Sequence, residues 1–190
     1  SNYIKNSTDI TFAENNNYLV VCNPEENVIM MFDINGKLID AYHTTRGIGE
    51  GQMNRPVSAE MIKDKYLLFA DSLNGRIQLF DNNIKYVKNF RIGSCSRTQW
   101  PDIIYINHPV KPYFIVTQPA EKKIFIYLLN DDAFRFINLD NNKIIKFLNP
   151  SKITKCGEDF YVLDNAGKFI VRLQLPQNFI FEKIGFPARR

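Results

Sequence analysis

Histidine is nearly absent from this chain of 190 residues, which holds only His43 and His108. Metal centres and proton transfer near neutral pH lean on histidine, and two of them in different repeat positions make a poor metal site. Cysteine is scarce too. Cys22, Cys95 and Cys156 are an odd number at wide spacing, and no CxxC occurs, which excludes a zinc framework. Cys22, inside Val20-Val21-Cys22, reads as a small buried thiol, and a reducing, cytoplasmic setting is expected. No G-x-S-x-G elbow, P-loop or H-E-x-x-H is found, so no catalytic residue, cofactor or metal is assigned, and a non-enzymatic role is expected. The sequence lacks the ~18 consecutive apolar residues of a membrane-spanning helix, and no membrane span is expected. Nor does the N-terminus show a signal peptide; Ser1-Asn2-Tyr3 opens close to a repeat boundary, as a trimmed chain would. A large excess of either charge is also lacking, with 24 Lys and Arg against 20 Asp and Glu. The net +4 permits nucleic acid, an anionic surface or an acidic protein as partner and demands none of them.

What is present favours strands and turns. Hydrophobic residues reach 45%, with 15 Phe, 9 Tyr and abundant Ile, the composition of a packed β core rather than of disorder. Asn falls in turn-like clusters, Asn15-Asn16-Asn17, Asn82-Asn83 and Asn141-Asn142, where its tolerance of left-handed backbone is useful.

The dominant feature is an internal repeat. Tyr18, Asn23, Ile29, Phe32 and Asp33 recur 48 residues later as Tyr66, Asp71, Ile77, Phe80 and Asp81. Tyr113, Gln118, Ile124 and Tyr127 follow 47 after their counterparts, and Asp164, Ile170 and Leu173 a further 46 on. Within the second copy, apolar runs at 57–62, 66–70, 76–80 and 84–92 are separated by Lys63-Asp64-Lys65, Ser72-Leu73-Asn74-Gly75 and Asp81-Asn82-Asn83. Such runs are strand-sized and too short for typical helices. Four strands per period describe one blade of a β-propeller. Asp33-Ile34-Asn35-Gly36 predicts a hairpin turn with Gly36 at positive φ.

The segment Gly47-Ile-Gly-Glu-Gly-Gln-Met-Asn-Arg-Pro56, followed by Phe69-Ala-Asp71, Asn74-Gly-Arg-Ile77 and Phe80-Asp81, closely resembles the NHL repeat. The second copy matches almost throughout. The first carries Asn23 and Val28 where the pattern has Asp and Arg, the third Gln118 and Lys123, and the fourth keeps Asp164 but lacks the Arg. The resemblance implies an all-β propeller of four-stranded antiparallel blades, here at about 7–46, 55–93, 100–148 and 149–186. It also implies a ring that is normally six-bladed. Four copies fill this chain, so it reads either as part of a larger propeller, completed by other blades or another chain, or as a compact four-bladed ring; the six-fold habit of the family favours the first. Gly47, Gly49 and Gly51 are expected to turn the chain between blades, Pro56 to open an inner strand, and Asp71 to pair with Arg76 across the middle hairpin. Some NHL-like propellers hold a catalytic metal near the central channel, typically with several histidines, which this sequence does not supply.

Loops from every blade meet at one end of such a fold. Arg46, Gln52, Asn54 and Arg55 belong there, then Arg91, Ser94, Arg97, Gln99 and Trp100, then Lys122 and Lys123. The candidate binding residues are therefore Arg46, Arg55, Arg91, Arg97, Trp100, Lys122 and Lys123. A scaffold that docks a protein partner is the first expectation. Single-stranded RNA is the alternative, since cations beside a stacking ring suit it and some NHL propellers bind RNA so. An extracytoplasmic ligand-binding or lyase-type propeller is the third. Trp100, just before Pro101, reads equally as a plug between blades, and Arg55 as a fixed part of the repeat. The carboxylates Glu25-Glu26 and Asp131-Asp132 read as solvated turn residues. An open arc of blades would also expose strand edges and invite self-association.

Overall fold

A computed structural model describes residues 4–13, 17–63, 65–94, 96–108, 112–128, 134–135 and 146–174. Asn15, Asn16, Asp64, Cys95, Pro109, Asp131, Asp132, Asn141 and Asn142 lie outside the described residues, as does the fourth copy beyond 174.

The fold is all-β. The first antiparallel sheet runs β1 (Asp9–Ala13), β2 (Tyr18–Asn23), β3 (Val28–Asp33) and β4 (Leu38–His43), each strand paired with the next in sequence. The second repeats this with β5 (Pro56–Ile62), β6 (Tyr66–Asp71), β7 (Arg76–Asp81) and β8 (Tyr86–Arg91). The third holds β9 (Asp102–Ile106), β10 (Tyr113–Gln118), β11 (Lys123–Leu128) and the short β12 (Phe134–Arg135). In the fourth, β13 (Pro150–Cys156), β14 (Asp159–Asp164) and β15 (Phe169–Gln174) are described. Single 3-10 turns lie at Ser72–Asn74 and Pro119–Glu121.

Local chemistry explains where the strands stop. The Asp33 carboxylate accepts the backbone N–H of Asn35 and Lys37 at 2.9 and 2.8 Å, and Asp81 accepts those of Asn83 and Lys85, both at 2.9 Å. An aspartate at this repeat position therefore closes the hairpin. Gly36 sits at φ 80° as the turn requires, and its counterpart Ile84 is held at φ 58°, where a β-branched residue is strained.

The middle strands read as nearly unbroken apolar runs because both of their faces are buried. Leu67 and Phe69 of β6 pack towards the first sheet with Val20, Cys22 and Ile29, while Leu68 and Ala70 face the third with Ile103, Phe114 and Val116. A third core joins Ile115, Ile124 and Ile126 to Ile153, Phe160 and Val162 of the fourth sheet. Aromatic rings lock the second core: Phe90 meets Phe114 edge-on at 5.1 Å between centroids, and Phe114 stacks on Tyr127 at 4.9 Å. Cys22 is fully buried, as its apolar setting implied, and burial pushes its thiol well above the usual range.

Candidate functional site

The loop end is organised by one repeat position. Asp71 pairs with Arg76 across the hairpin at 2.8 Å, and both are buried. The remaining guanidinium donors reach the carbonyls of Ile48, Gly49 and Gln52 at 2.8 to 2.9 Å, while Asp71 accepts the N–H of Asn54 at 2.7 Å. Gln78 adds a bond to the Gln52 carbonyl at 2.6 Å and Asn74 one to Gly47 at 2.7 Å. The glycine-rich segment is thus held by side chains of the following hairpin. Gly51 takes φ 72°, and a Cβ on Gly47 would stand 2.2 Å from the Gln52 amide oxygen. Burial raises the Asp71 carboxyl, and the Asn54, Asn74 and Arg76 contacts pull against it.

The same position anchors the preceding loop in the third and fourth sheets. Asp164 accepts from Leu148 and Asn149 at 2.7 and 3.1 Å, whereas Gln118 donates its amide to the carbonyls of Ile92 and Ser94 at 3.0 and 3.1 Å. In the first sheet Asn23 donates to the Lys5 carbonyl at 3.1 Å. The departures from Asp at this position reverse the polarity of the bond and keep its purpose.

On this frame, loops of the first three sheets form a polar groove of about 340 Å³ lined by Glu25, Arg46, Asn54, Arg55, Leu73 and Arg97. Arg46 and Arg97 are exposed. Arg55 is held at φ 65°, its N–H donating to Asn27 Oδ1 at 2.9 Å and its guanidinium to Glu25 at 2.5 Å. The guanidinium also lies 5.4 Å from the centre of the Trp100 ring. Trp100 is half-buried against the core shared by the second and third sheets, with its indole N–H donated to the Arg97 carbonyl at 2.9 Å. It therefore packs between sheets and also borders the surface cavities beside the groove.

Of the residues expected from sequence, Arg46, Arg55, Arg97 and Trp100 come together. Arg91, Lys122 and Lys123 do not line this groove. Arg91 ends β8, its carbonyl accepting the Tyr127 hydroxyl at 2.9 Å. Lys122 is the left-handed residue after the 3-10 turn, at φ 56°, and neighbouring Glu121 holds Ser94 from that turn. Glu25 lies in an exposed turn, as expected, and is also the ion-pair partner of Arg55 at the groove. His43 ends β4, and His108 follows β9. Among the described residues no group of three or more His, Cys, Asp and Glu side chains is arranged to hold a metal ion, and no helix is long and apolar enough to cross a membrane.

Sequence reasoning missed a second polar cluster, where the inner strands meet. Asp9, Ser58, Asp102 and Lys152 occupy matching positions, beside the register of Cys22, Ala70, Thr117 and Leu163 on the adjoining strands. Ser58 Oγ lies 2.7 Å from Asp9 and 3.1 Å from Asp102, and Lys152 Nζ lies 3.0 Å from Asp102 and 3.7 Å from Asp9. Asp9 accepts the N–H of Ala59 at 2.9 Å, Glu60 that of Tyr105 at 3.0 Å, and Asp102 that of Ile153 at 3.0 Å. Carboxylates thus tie each inner strand to the free edge of the next. Burial, with Asp9 and Asp102 nearby, pushes Glu60 up to about 7, and burial also raises Asp102. Lys152 is raised because Asp102 and Asp9 outweigh its own partial burial. The signal was faint, since these residues are 49, 44 and 50 apart and align only through the neighbouring strands.

No family model matches the chain, and no curated protein matches it in sequence. Solved structures do resemble it. A protein of unknown function from Bacteroides caccae aligns with TM-score 0.67 and 10% identity over 88% of this chain and 63% of its own. Virginiamycin B lyase from Staphylococcus aureus aligns at 0.62 and 14% over 91% and 57%, and U3-55K at 0.55 and 9% over 89% and 52%. This chain therefore spans between 52% and 63% of the length of those structures. At such identities the likeness is one of fold. With sheets of consecutive antiparallel strands packed face to face around their inner strands, it makes this an all-β chain of β-propeller fold.

Proposed function

We propose that this chain is a non-catalytic binding propeller of NHL-type repeats that docks a protein partner on its loop end. The observation carrying this reading is the convergence of Arg46, Arg55 and Arg97 in one groove beside Trp100. Glu25 offsets part of that charge, and Ile48 stands 83% exposed on the neighbouring glycine-rich loop. Cations interleaved with apolar surface suit an extended protein segment carrying carboxylates and aliphatic side chains. The NHL assignment draws support from the Asp71–Arg76 clamp on the Gly47–Pro56 segment, which engages the backbone of Ile48, Gly49, Gln52 and Asn54. A second reading, single-stranded RNA, is supported by the Trp100 ring beneath the Arg55 guanidinium, with the exposed Arg46 and Arg97 lining the same groove as Arg55.

Trp100 is the sole tryptophan, so its fluorescence reports on the groove directly. Titration with a peptide of alternating Glu and Leu should shift the emission saturably. Arg97→Glu should weaken that binding about tenfold, equivalent to ~1.4 kcal/mol. A response to oligouridine alone would transfer the site to the RNA reading. Silence to both ligands would remove the loop end as a binding surface.

A further inference from the structure

The starts of the four inner strands enclose a cavity of about 280 Å³ at the loop end. Thr8, Val57, Pro101 and Ser151 line it, and each directly precedes a member of the axial cluster, Asp9, Ser58, Asp102 and Lys152. All four sheets thus contribute at one matching position, which sets the cavity on the axis, beside the arginine groove. Asn149 lines it too, and its Oδ1 is buried with no hydrogen-bond partner among the described residues. Buried acceptors are nearly always satisfied, so one left open beside a cavity points to a donor brought from outside. Ser7 Oγ and Arg55 Nε share its condition, and both residues border adjoining cavities. Unused hydrogen-bonding capacity therefore gathers at this end of the fold.

We infer that this axial cavity is a binding site for a neutral sugar ring, a pyranose. Charge narrows the ligand first. Among the described residues lining the cavity only Lys152 is charged, and its ammonium is already matched by Asp102 at 3.0 Å and Asp9 at 3.7 Å. An anion would find no unpaired cation there, and a cation would meet the ammonium. Hydrogen-bond polarity comes next. Thr8 Oγ1 donates to the Val57 carbonyl at 2.8 Å and Ser151 Oγ to that of Leu163 at 3.2 Å, so both hydroxyls keep only acceptor capacity. With Asn149 Oδ1 they make a set of acceptors, and the ligand must bring several donors without charge. Hydroxyls do so. Trp100, Val57 and Pro101 add an apolar wall, which fits the C–H face of a ring better than an open-chain polyol.

Emission of Trp100, the sole tryptophan, reads the cavity directly. Methyl pyranosides of glucose, galactose, mannose and N-acetylglucosamine, each titrated to about 100 mM, cover a millimolar Kd. At least one should shift the emission saturably, and sorbitol, which has hydroxyls but no ring face, should not. Asn149→Leu keeps the bulk and loses the acceptor, and should weaken the binding about tenfold. Ser151→Ala, at a partly exposed position that folding tolerates, should weaken it in the same direction. Arg46→Glu, in the groove and outside the cavity, should leave it unchanged, so this result stands or falls apart from the protein-docking reading. A free sugar and the end of a glycan offer the same ring; a disaccharide that binds more tightly than its methyl glycoside assigns the site to the glycan end, and one that binds less tightly to the free sugar. Three results would overturn the inference: no saturable response to any pyranoside, an equal response to sorbitol, or binding indifferent to both cavity variants.

Discussion

At the scale of single residues, Glu60 is a carboxyl placed where ionisation is costly. It sits between Thr11 and the N–H of Tyr105 with Asp9 and Asp102 nearby, and burial is the largest cause of its rise from 4.5 to about 7. An acid whose folded pKa exceeds its unfolded value stabilises the fold fully below the unfolded value, and that contribution is lost as pH rises through the folded one. Its share of stability should therefore decline from about pH 4.5 to about pH 7 and stay level above. Glu60→Gln keeps the shape and the acceptor without the charge. Urea unfolding of the two proteins should differ little near the lower limit, with the variant gaining up to ~3 kcal/mol over wild type at neutral pH. A pH-independent difference would mean that Glu60 is ionised with a normal pKa.

At the scale of elements, each inter-sheet loop is fastened by the residue ending the second strand of the following sheet, and chemistry decides the direction of the bond. Asp71 and Asp164 receive N–H groups, whereas Gln118 faces the carbonyls of Ile92 and Ser94. A carboxylate at position 118 would meet two oxygens instead of donating to them. Gln118→Glu should cost ~2 to 3 kcal/mol at neutral pH, as an uncompensated buried charge does, and recover part of that when acid protonates it. Denaturant midpoints at two pH values test this, and an unperturbed variant would show that the loop does not depend on the anchor. The Asp71–Arg76 pair was legible in the sequence because both partners lie in one hairpin, five residues apart. The gathering of Arg46, Arg55, Arg97 and Trp100 was legible only as a shared end of the fold. Which loop residues meet depends on bonds such as Arg55 N–H to Asn27, made across 28 positions. Arg91 and Lys122 fell elsewhere because strand ends and left-handed turns point their own way.

At the scale of the whole molecule, spacings of 48, 47 and 46 residues give the number and order of sheets, since each period carries its own strands and turns. They say nothing of the axis, because the residues that meet there belong to different periods separated by loops of unequal length. Lys152 shows what that contact does: it places one cation against Asp9 and Asp102, with Ser58 between them. Lys152→Met would leave two carboxylates close together and unbalanced. Lys152 is half-exposed, so solvent screening trims the loss to ~1 to 2 kcal/mol near neutral pH. Protonating Asp102, whose carboxyl burial holds above the usual range, should shrink it, and the midpoint deficit should be smaller at about pH 4 than at about pH 7. The loss should also be uneven in space. Trp100 lies against the core of the second and third sheets, whereas Lys152 fastens the fourth. In the variant, far-UV circular dichroism should begin to change at lower urea than Trp100 emission, while in wild type the two transitions coincide. Coincident transitions in both proteins, with equal midpoints, would mean that the faces alone hold the fourth sheet and that the axial charges are incidental to it.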